Sequence, residues 1–429
     1  MSFLGSHVLV VGAGKSGIAA TRLLLKEGKH VTLYDDKPQS QLALLDDTLI
    51  AHKYLILACG KNAQLDINGF DAAVISPGVP FSHIVVEALK AHGIPLFNEI
   101  EVALSFLPAH KLLGITGTNG KSTTTVMMES VLKAAGIKAI ACGNLGTPLC
   151  ELALKPFPYE YAVLELSSYQ LEALQHIKLD GAIIINITPD HLDRYQSFEH
   201  YQNAKLRIMQ FLKGGSPMVV NHLLSHLIQP RTQGVNDFFN GNQFGMGDFA
   251  FLKKTPIVGA HNQENALAVA MLSLRLGIPK DAIIEGLTNF QPLPHRCEIV
   301  ACKNGITFIN DSKGTTVVAV QYALSMYKKP THLLLGGIDK GENFADLAWK
   351  NFPQIQAYYV FGKSSPKIMH ELASTKAQSF ANLHDAFHAA LKQAHEGDII
   401  LLSPGCASFD QFDNYQHRGQ VFRDLVTEI

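Results

Sequence analysis

Short runs of β-branched and other apolar residues alternate along the chain with stretches whose apolar positions recur every three or four residues. The first pattern predicts strands and the second helices, and their regular alternation predicts parallel sheets covered by helices on both faces. The fold class is therefore α/β throughout. Between residues 7 and 98 the expected strands are HVLVVG, HVTLYDD, KYLILA and AAVISPG, with PLFN closing the unit. KLLGITG opens a second unit that continues through KAIACG, YAVLELSS, GAIIINIT and PMVVN. The polar, Gly- and Asn-rich stretch from Gln229 to Lys254 is expected to be irregular or hairpin structure. A third set, ITFINDS, HLLLGGI, AYYVFG and DIILLSPG, follows Pro292. With about 100 to 200 residues per domain, a chain of 429 residues holds two to four, and the pattern favours three: 1–95, 96–292 and 293–429. Glycine and polar residues cluster where the strands are expected to stop, which is where ligands bind in sheets of this kind.

Composition narrows the class of function. The formal net charge is −1 with acids and bases interspersed, so nothing steers the chain toward nucleic acid or an anionic membrane. The start, MSFLGSHVLVVGAG, lacks a basic segment and cleavage site, and no apolar run is long enough to span a bilayer. A cytoplasmic protein without membrane insertion is expected. Six scattered cysteines without a C-x-x-C pair fit reduced thiols. His295, Cys297 and Cys302 have only weak spacing for zinc.

The most specific chemistry lies in GITGTNGKST, Gly114 to Thr123. Its glycines can turn backbone N–H groups around a polyphosphate at a helix N-terminus, with Lys121 on the outer phosphates and the Ser122 hydroxyl on Mg2+. A strict P-loop has glycine five residues before Gly120, where this chain has Ile115, so the loop is a shortened variant. In the first unit Gly12, Gly14 and Gly17 form G-x-G-x-x-G, with Asp35 and Asp36 at the end of the next strand. Alone this reads as a dinucleotide site, yet its geometry specifies a pyrophosphate better than a nicotinamide. Ser76, Pro77 and Gly78 form a second strand-end turn in the same unit.

Glu165 ends an apolar strand, a position from which a carboxylate reaches a metal at the P-loop. Asp190, His191, Asp193, Arg194 and Tyr195 follow the strand GAIIINIT, and read equally as a metal site or a solvated loop. Lys205 has no role that spacing alone assigns. In the third unit LPHR, INDSKGTT, GGIDKG and SPGCASFDQF carry Arg296, Lys313 and Lys340, which can oppose phosphate or carboxylate charge. The amides of AHNQEN can meet a base or cap a helix.

Taken in order, GTNGKS, ELSSYQ, DHLDRY, AKLRI, GAHNQEN, LPHR, INDSKGT and LSPGCASFDQF closely resemble the Mur ligases over essentially the whole chain, in the branch that adds D-glutamate. The resemblance implies a Rossmann-like first domain, a central P-loop-type ATPase domain with a mainly parallel sheet, and a Rossmann-like third domain. It implies a cytoplasmic enzyme of peptidoglycan synthesis with two small-molecule substrates, UDP-N-acetylmuramoyl-L-alanine and D-glutamate. ATP and two Mg2+ ions are the implied cofactors, and no obligate protein partner is implied.

Carried over by motif, Gly117, Thr118, Asn119, Gly120, Lys121, Ser122 and Thr123 would hold the triphosphate, with Asn265, Arg296 and Asp311 completing the nucleotide contacts. Ser122 and Glu165 would hold the first Mg2+ and His191 the second, and Lys205 matches a lysine carbamylated in similar enzymes. Lys121, Glu165, His191, Lys205 and Arg296 are the implied catalytic set. Lys15, Ser16, Asp35, Asp36, Lys37 and Ser76 would meet the uridine diphosphate, and Asn144 and Ser167 the muramoyl-alanine. Lys313, Thr315, Lys340, Ser408 and Tyr415 match the D-glutamate pocket. Gly314 and Thr316 stand where the family often has Ala and Asn, and Asp36 with Lys37 where some relatives have Thr and Arg.

Overall fold

The computed structural model describes residues 5–61, 63–108, 110–190, 194–228, 236–257, 259–291 and 293–429. Its strands form three sheets. β1 (His7–Val11), β2 (His30–Asp35), β3 (Leu55–Cys59), β4 (Ala72–Ile75) and β5 (Leu96–Phe97) form an all-parallel sheet ordered β3-β2-β1-β4-β5. A second parallel sheet, ordered β11-β10-β9-β6-β8-β7, contains β6 (Lys111–Thr116), β7 (Ala139–Gly143), β8 (Tyr161–Glu165), β9 (Gly181–Ile184), β10 (Met218–Asn221) and β11 (Asn236–Phe239). Strands such as HVLVV and GAII are buried on both faces, which is why they read as continuous apolar runs.

The third sheet is mixed. β12 (Glu298–Lys303), β13 (Ile306–Asn310), β14 (Thr331–Gly336), β15 (Ile355–Phe361), β16 (Ala377–Phe380) and β17 (Ile399–Leu402) are ordered β12-β13-β17-β14-β15-β16, and only β12 runs antiparallel to its neighbour. Asn304 and Gly305, at φ 52° and 74°, make the two-residue turn of the β12–β13 hairpin. This edge hairpin departs from the expected all-parallel pattern. Of the irregular or hairpin structure expected between Gln229 and Lys254, the described residues 236–254 show the irregular alternative: β11 pairs parallel with β10, and short 3-10 turns at Gly241–Gln243 and Gly247–Lys254 follow it.

By contact density the chain divides into two compact units, the first carrying the first two sheets and the second, from Gln291 onward, the third. Inside the first unit, the helices Lys15–Lys26, Glu99–Phe106 and Leu149–Ala153 pack on one another and share one apolar core with both sheets. Asn98 and Glu101 form a capping box at the start of the middle helix. Two of its carboxylates are buried and fasten it to the second sheet's loops. Glu99 accepts from Cys150 N–H, and Glu101 accepts from Gln175 N at 2.8 Å and His176 N at 2.7 Å. No described helix is long and apolar enough to cross a membrane.

Candidate active site

β6 leads into the glycine loop, and the helix Lys121–Ala134 leaves it. Gly120 sits at φ +83°, and a Cβ there would lie 2.8 Å from Asn265 Oδ1, so both backbone and space require glycine. Asn186, two residues past β9, shapes the loop. Its Oδ1 accepts from Thr118 N at 3.0 Å and Asn119 N at 2.9 Å, and its Nδ2 donates to Asn119 O at 3.2 Å. Thr118 Oγ1 donates to Thr188 O at 3.1 Å and lies 3.0 Å from the Tyr201 hydroxyl.

Two lysine Nζ atoms meet on this loop. Lys121 Nζ donates to Gly117 O at 2.9 Å and Thr118 O at 2.8 Å, and Lys205 Nζ donates to the same Gly117 O at 2.7 Å. Lys205, on the helix Phe198–Leu206, is only 1% exposed and lies 4.8 Å from the Tyr201 ring centroid. Burial, and then the Lys121 charge beside it, hold the Lys205 amine well below the usual lysine range, while Asp190 and Glu165 pull the other way. The arrangement sets the Lys121 charge beside a desolvated amine that resists protonation.

Glu165 ends β8, in register with Ile115 of β6 and Gly143 of β7, and is 2% exposed. Its Oε1 accepts from Asn144 Nδ2 at 2.8 Å. Gly143, at φ +93°, permits this: a Cβ there would meet Glu165 O at 2.6 Å. Ser122 is likewise buried. Oxygen donors of this kind fit a hard cation such as Mg2+. Asn265 is buried, and its Nδ2 has no hydrogen-bond partner within the described structure, which fits a ligand acceptor completing it. Thr123 follows Ser122 in the first turn of the helix. His191 and Asp193 lie outside the described residues. Ser167 is already engaged as the N-cap of Ser168–Ala173, in a capping box with Gln170.

In the first sheet, Gly12, Asp35 and Ser76 gather at the carboxyl ends of β1, β2 and β4. Gly17 lets the helix approach the loop, since a Cβ there would meet Gly12 O at 1.8 Å, and Ser76 Oγ donates to that same oxygen at 2.8 Å. Asp35 organises the turn, accepting from Ala13 N at 2.8 Å and Lys37 N at 2.9 Å. Asp36 accepts from the Tyr34 hydroxyl at 2.7 Å and lies 3.1 Å from His83 Nε2, and these partners hold its carboxyl below the usual range. Lys15 and Ser16 open the helix and Lys37 is exposed. Arg194, a residue given no firm role by its spacing, ties the central sheet's loops to this turn by donating to Pro77 O at 3.2 Å and stacking 3.8 Å over the Tyr169 ring.

In the second unit, Asp311 is buried, accepting from Ser403 Oγ at 2.6 Å and Cys297 N at 3.2 Å. Burial pushes its carboxyl up to about 6, opposed by those bonds and the Arg296 charge. The five residues matched to the amino-acid pocket do gather. Lys313 Nζ lies 5.1 Å from the Tyr415 ring centroid, Lys340 Nζ donates to Thr315 Oγ1 at 3.2 Å, and a bridge between Ile338 and Ala407 brings buried Ser408 alongside. A residue that no motif pointed to holds these loops together. Fully buried Arg418 donates to Gly336 O at 3.3 Å, Cys406 O at 3.1 Å, Ser312 Oγ at 3.0 Å and Ser312 O at 2.8 Å. Thr316 caps the helix Val317–Ser325 by accepting from Ala319 N at 3.3 Å. The six cysteines are free, and among the described residues no trio of His, Cys, Asp or Glu is arranged to hold a metal. His295 lies instead 3.0 Å from Asn310 Nδ2 through its Nδ1.

Family models match three stretches: the Mur ligase MurD-like N-terminal domain over residues 6–98, the Mur ligase middle domain over 115–273 and the Mur ligase glutamate ligase domain over 295–406. The chain belongs to the Mur ligase family. Relatives named UDP-N-acetylmuramoylalanine–D-glutamate ligase include one from Koribacter versatilis, 34% identical over 100% of this chain and 99% of its own. Another, from Protochlamydia amoebophila, is 37% identical over 99% and 98%. Among solved structures, the MurF ligase from Thermotoga maritima in complex with ADP shares the fold at a TM-score of 0.63, with 16% identity over 98% of this chain and 95% of that one. The UDP-N-acetylmuramate-alanine ligase from the same organism gives 0.61, with 18% identity over 98% and 99%. As a Mur ligase the protein is an ATP-dependent ligase of peptidoglycan precursor synthesis with an α/β fold of three domains.

Proposed function

We propose that this Mur ligase joins the amino group of D-glutamate to the alanine carboxylate of UDP-N-acetylmuramoyl-L-alanine, cleaving ATP to ADP and phosphate. The observation that carries this reading is the full-length likeness, at 34% and 37% identity, to ligases bearing that name. An amine does not displace oxygen from a carboxylate until that oxygen becomes a leaving group. Transfer of the γ-phosphoryl group makes it one, and the amine then attacks the acyl phosphate and expels phosphate.

Residues 117–123 cradle the triphosphate, and Lys121 exchanges its two loop carbonyls for phosphate oxygens. Asn265, Arg296 and Asp311 contribute to nucleotide binding. Two Mg2+ ions, one at Ser122 and Glu165 and one toward His191 and Lys205, supply charge neutralisation when bound. The depressed basicity of buried Lys205 supports its carbamylation, because only the neutral amine adds to CO2. Starting from that neutral amine, the step forms an N–C bond, opens one C=O π bond of CO2, releases one proton and leaves an anion beside Lys121. Lys15, Ser16, Asp35, Asp36, Lys37 and Ser76 serve the uridine diphosphate, Asn144 and Ser167 the muramoyl-alanine, and Lys313, Thr315, Lys340, Ser408 and Tyr415 the D-glutamate. The working domains are 1–95, 96–292 and 293–429, acting in the cytoplasm without an obligate protein partner.

The test is phosphate release from purified protein with ATP, Mg2+ and UDP-N-acetylmuramoyl-L-alanine, offering D-glutamate, L-glutamate, L-alanine, L-lysine or no amino acid. Release confined to D-glutamate supports the proposal. Release confined to another acceptor sinks it.

A further inference from the structure

The helix Leu383–Gln393 buries Leu383, Ala386, Phe387 and Ala390, which turns His384 and His388 outward. Spaced i and i+4, they share one face. Their ring centroids lie 4.3 Å apart and their Nε2 atoms 3.2 Å apart. His384 Nδ1 faces Asp385 Oδ1 at 3.7 Å. At hydrogen-bond distance, at least one of the two Nε2 atoms directs a lone pair at its neighbour.

Two nitrogens at this separation suit a shared metal ion. With metal–nitrogen bonds of about 2.1 Å they subtend about 99° at the metal, between the square-planar and tetrahedral angles. We propose that His384 and His388 form a surface site for a divalent late transition metal of the Cu2+, Ni2+ and Zn2+ class. Water completes the coordination, and Asp385 acts as the outer carboxylate orienting His384. Mg2+ is not a competitor, since it takes oxygen ligands and sheds its water reluctantly. The site shares no residue with the ATP or amino-acid machinery.

Untagged full-length protein, stripped with chelator, is titrated calorimetrically with Cu2+, Ni2+ and Zn2+ in turn. One saturable site is expected, tightest for Cu2+. His384→Ala and His388→Ala should each weaken it at least tenfold, and Asp385→Asn by less. The Cu2+ electron paramagnetic resonance spectrum should show two coupled nitrogens in the parent and one in either single variant. Both side chains are exposed, so the variants keep the parent's fold, and His388→Gln provides a second substitution at that position. Absence of saturable binding in the parent, or undiminished binding in the histidine variants, overturns the proposal.

Discussion

Replacing Arg418 by alanine removes one guanidinium that bonds four acceptors in three separate segments, two loops and the end of β14: Ser312 Oγ and O, Cys406 O and Gly336 O. Burial holds the group's pKa down to about 10, which still leaves it charged at neutral pH. Each acceptor stranded in the interior costs about 1 to 3 kcal/mol. Water entering the vacated space recovers part of this, so the low end applies, and four acceptors at about 1 kcal/mol each give a loss of about 4 kcal/mol. Arg418→Lys keeps the charge but presents a point rather than a fork, and should lose about half as much, about 2 kcal/mol. The assay is urea unfolding followed by fluorescence of Trp349, the sole tryptophan, which lies in the second unit and therefore reports that unit selectively. Because the bonded loops carry Lys313, Lys340 and Ser408, Arg418→Lys should also raise KM for the amino acid. A midpoint for Arg418→Ala within about 1 kcal/mol of the parent, at an unchanged slope, would refute the reasoning.

Lys121→Ala should lower turnover at least about a hundredfold, equivalent to about 2.7 kcal/mol of transition-state stabilisation, and near-normal ADP release from the folded variant would contradict its role. Lys205→Ala should lose activity and regain part of it with formate or acetate, which supply the missing carboxylate; no rescue in an intact fold counts against carbamylation. Glu99 carries a pH signature. Burial raises its carboxyl from 4.5 to about 7, so the folded state holds the proton more tightly than the unfolded state. Its contribution to stability is full below the unfolded value and is lost as pH rises through about 7. Glu99→Gln keeps an oxygen for Cys150 N–H and cannot ionise, so between about pH 5 and pH 8 it should gain on the parent by up to about 3 kcal/mol. Parallel stability–pH curves for the two proteins would exclude this assignment.

The parallel strands were legible because burial on both faces makes their whole length apolar, as in HVLVV and IILL. Three edge strands carry no such mark, although the edge strands β3, β5 and β7 do stand out in the sequence. β12, β16 and β11 expose or half-expose many of their positions, and AQSF and NDFF are too short and polar to stand out. The glycine loop was legible because its backbone geometry restricts the residue type. The side chains that shape it were not: Asn186 is one polar residue closing an apolar run, and Tyr201 and Lys205 reach the loop only through the tertiary packing of their helix. Arg418 falls in YQHRGQ, which reads as a solvated helix face until its carbonyl partners are folded around it. Gly314 shows why a departure from a family pattern need not weaken a site. The space a Cβ would fill, 2.3 Å from Asp311 Oδ2, is taken by the Asp311–Ser403 contact itself.

The central claim is that the substrate carboxylate receives the γ-phosphoryl group before the amine attacks. UDP-N-acetylmuramoyl-L-alanine labelled with oxygen-18 in its alanine carboxylate, incubated with the protein, ATP, Mg2+ and D-glutamate, tests this directly by mass analysis of the released phosphate. The account predicts one labelled oxygen in each phosphate formed. Unlabelled phosphate accompanying amide formation would contradict it.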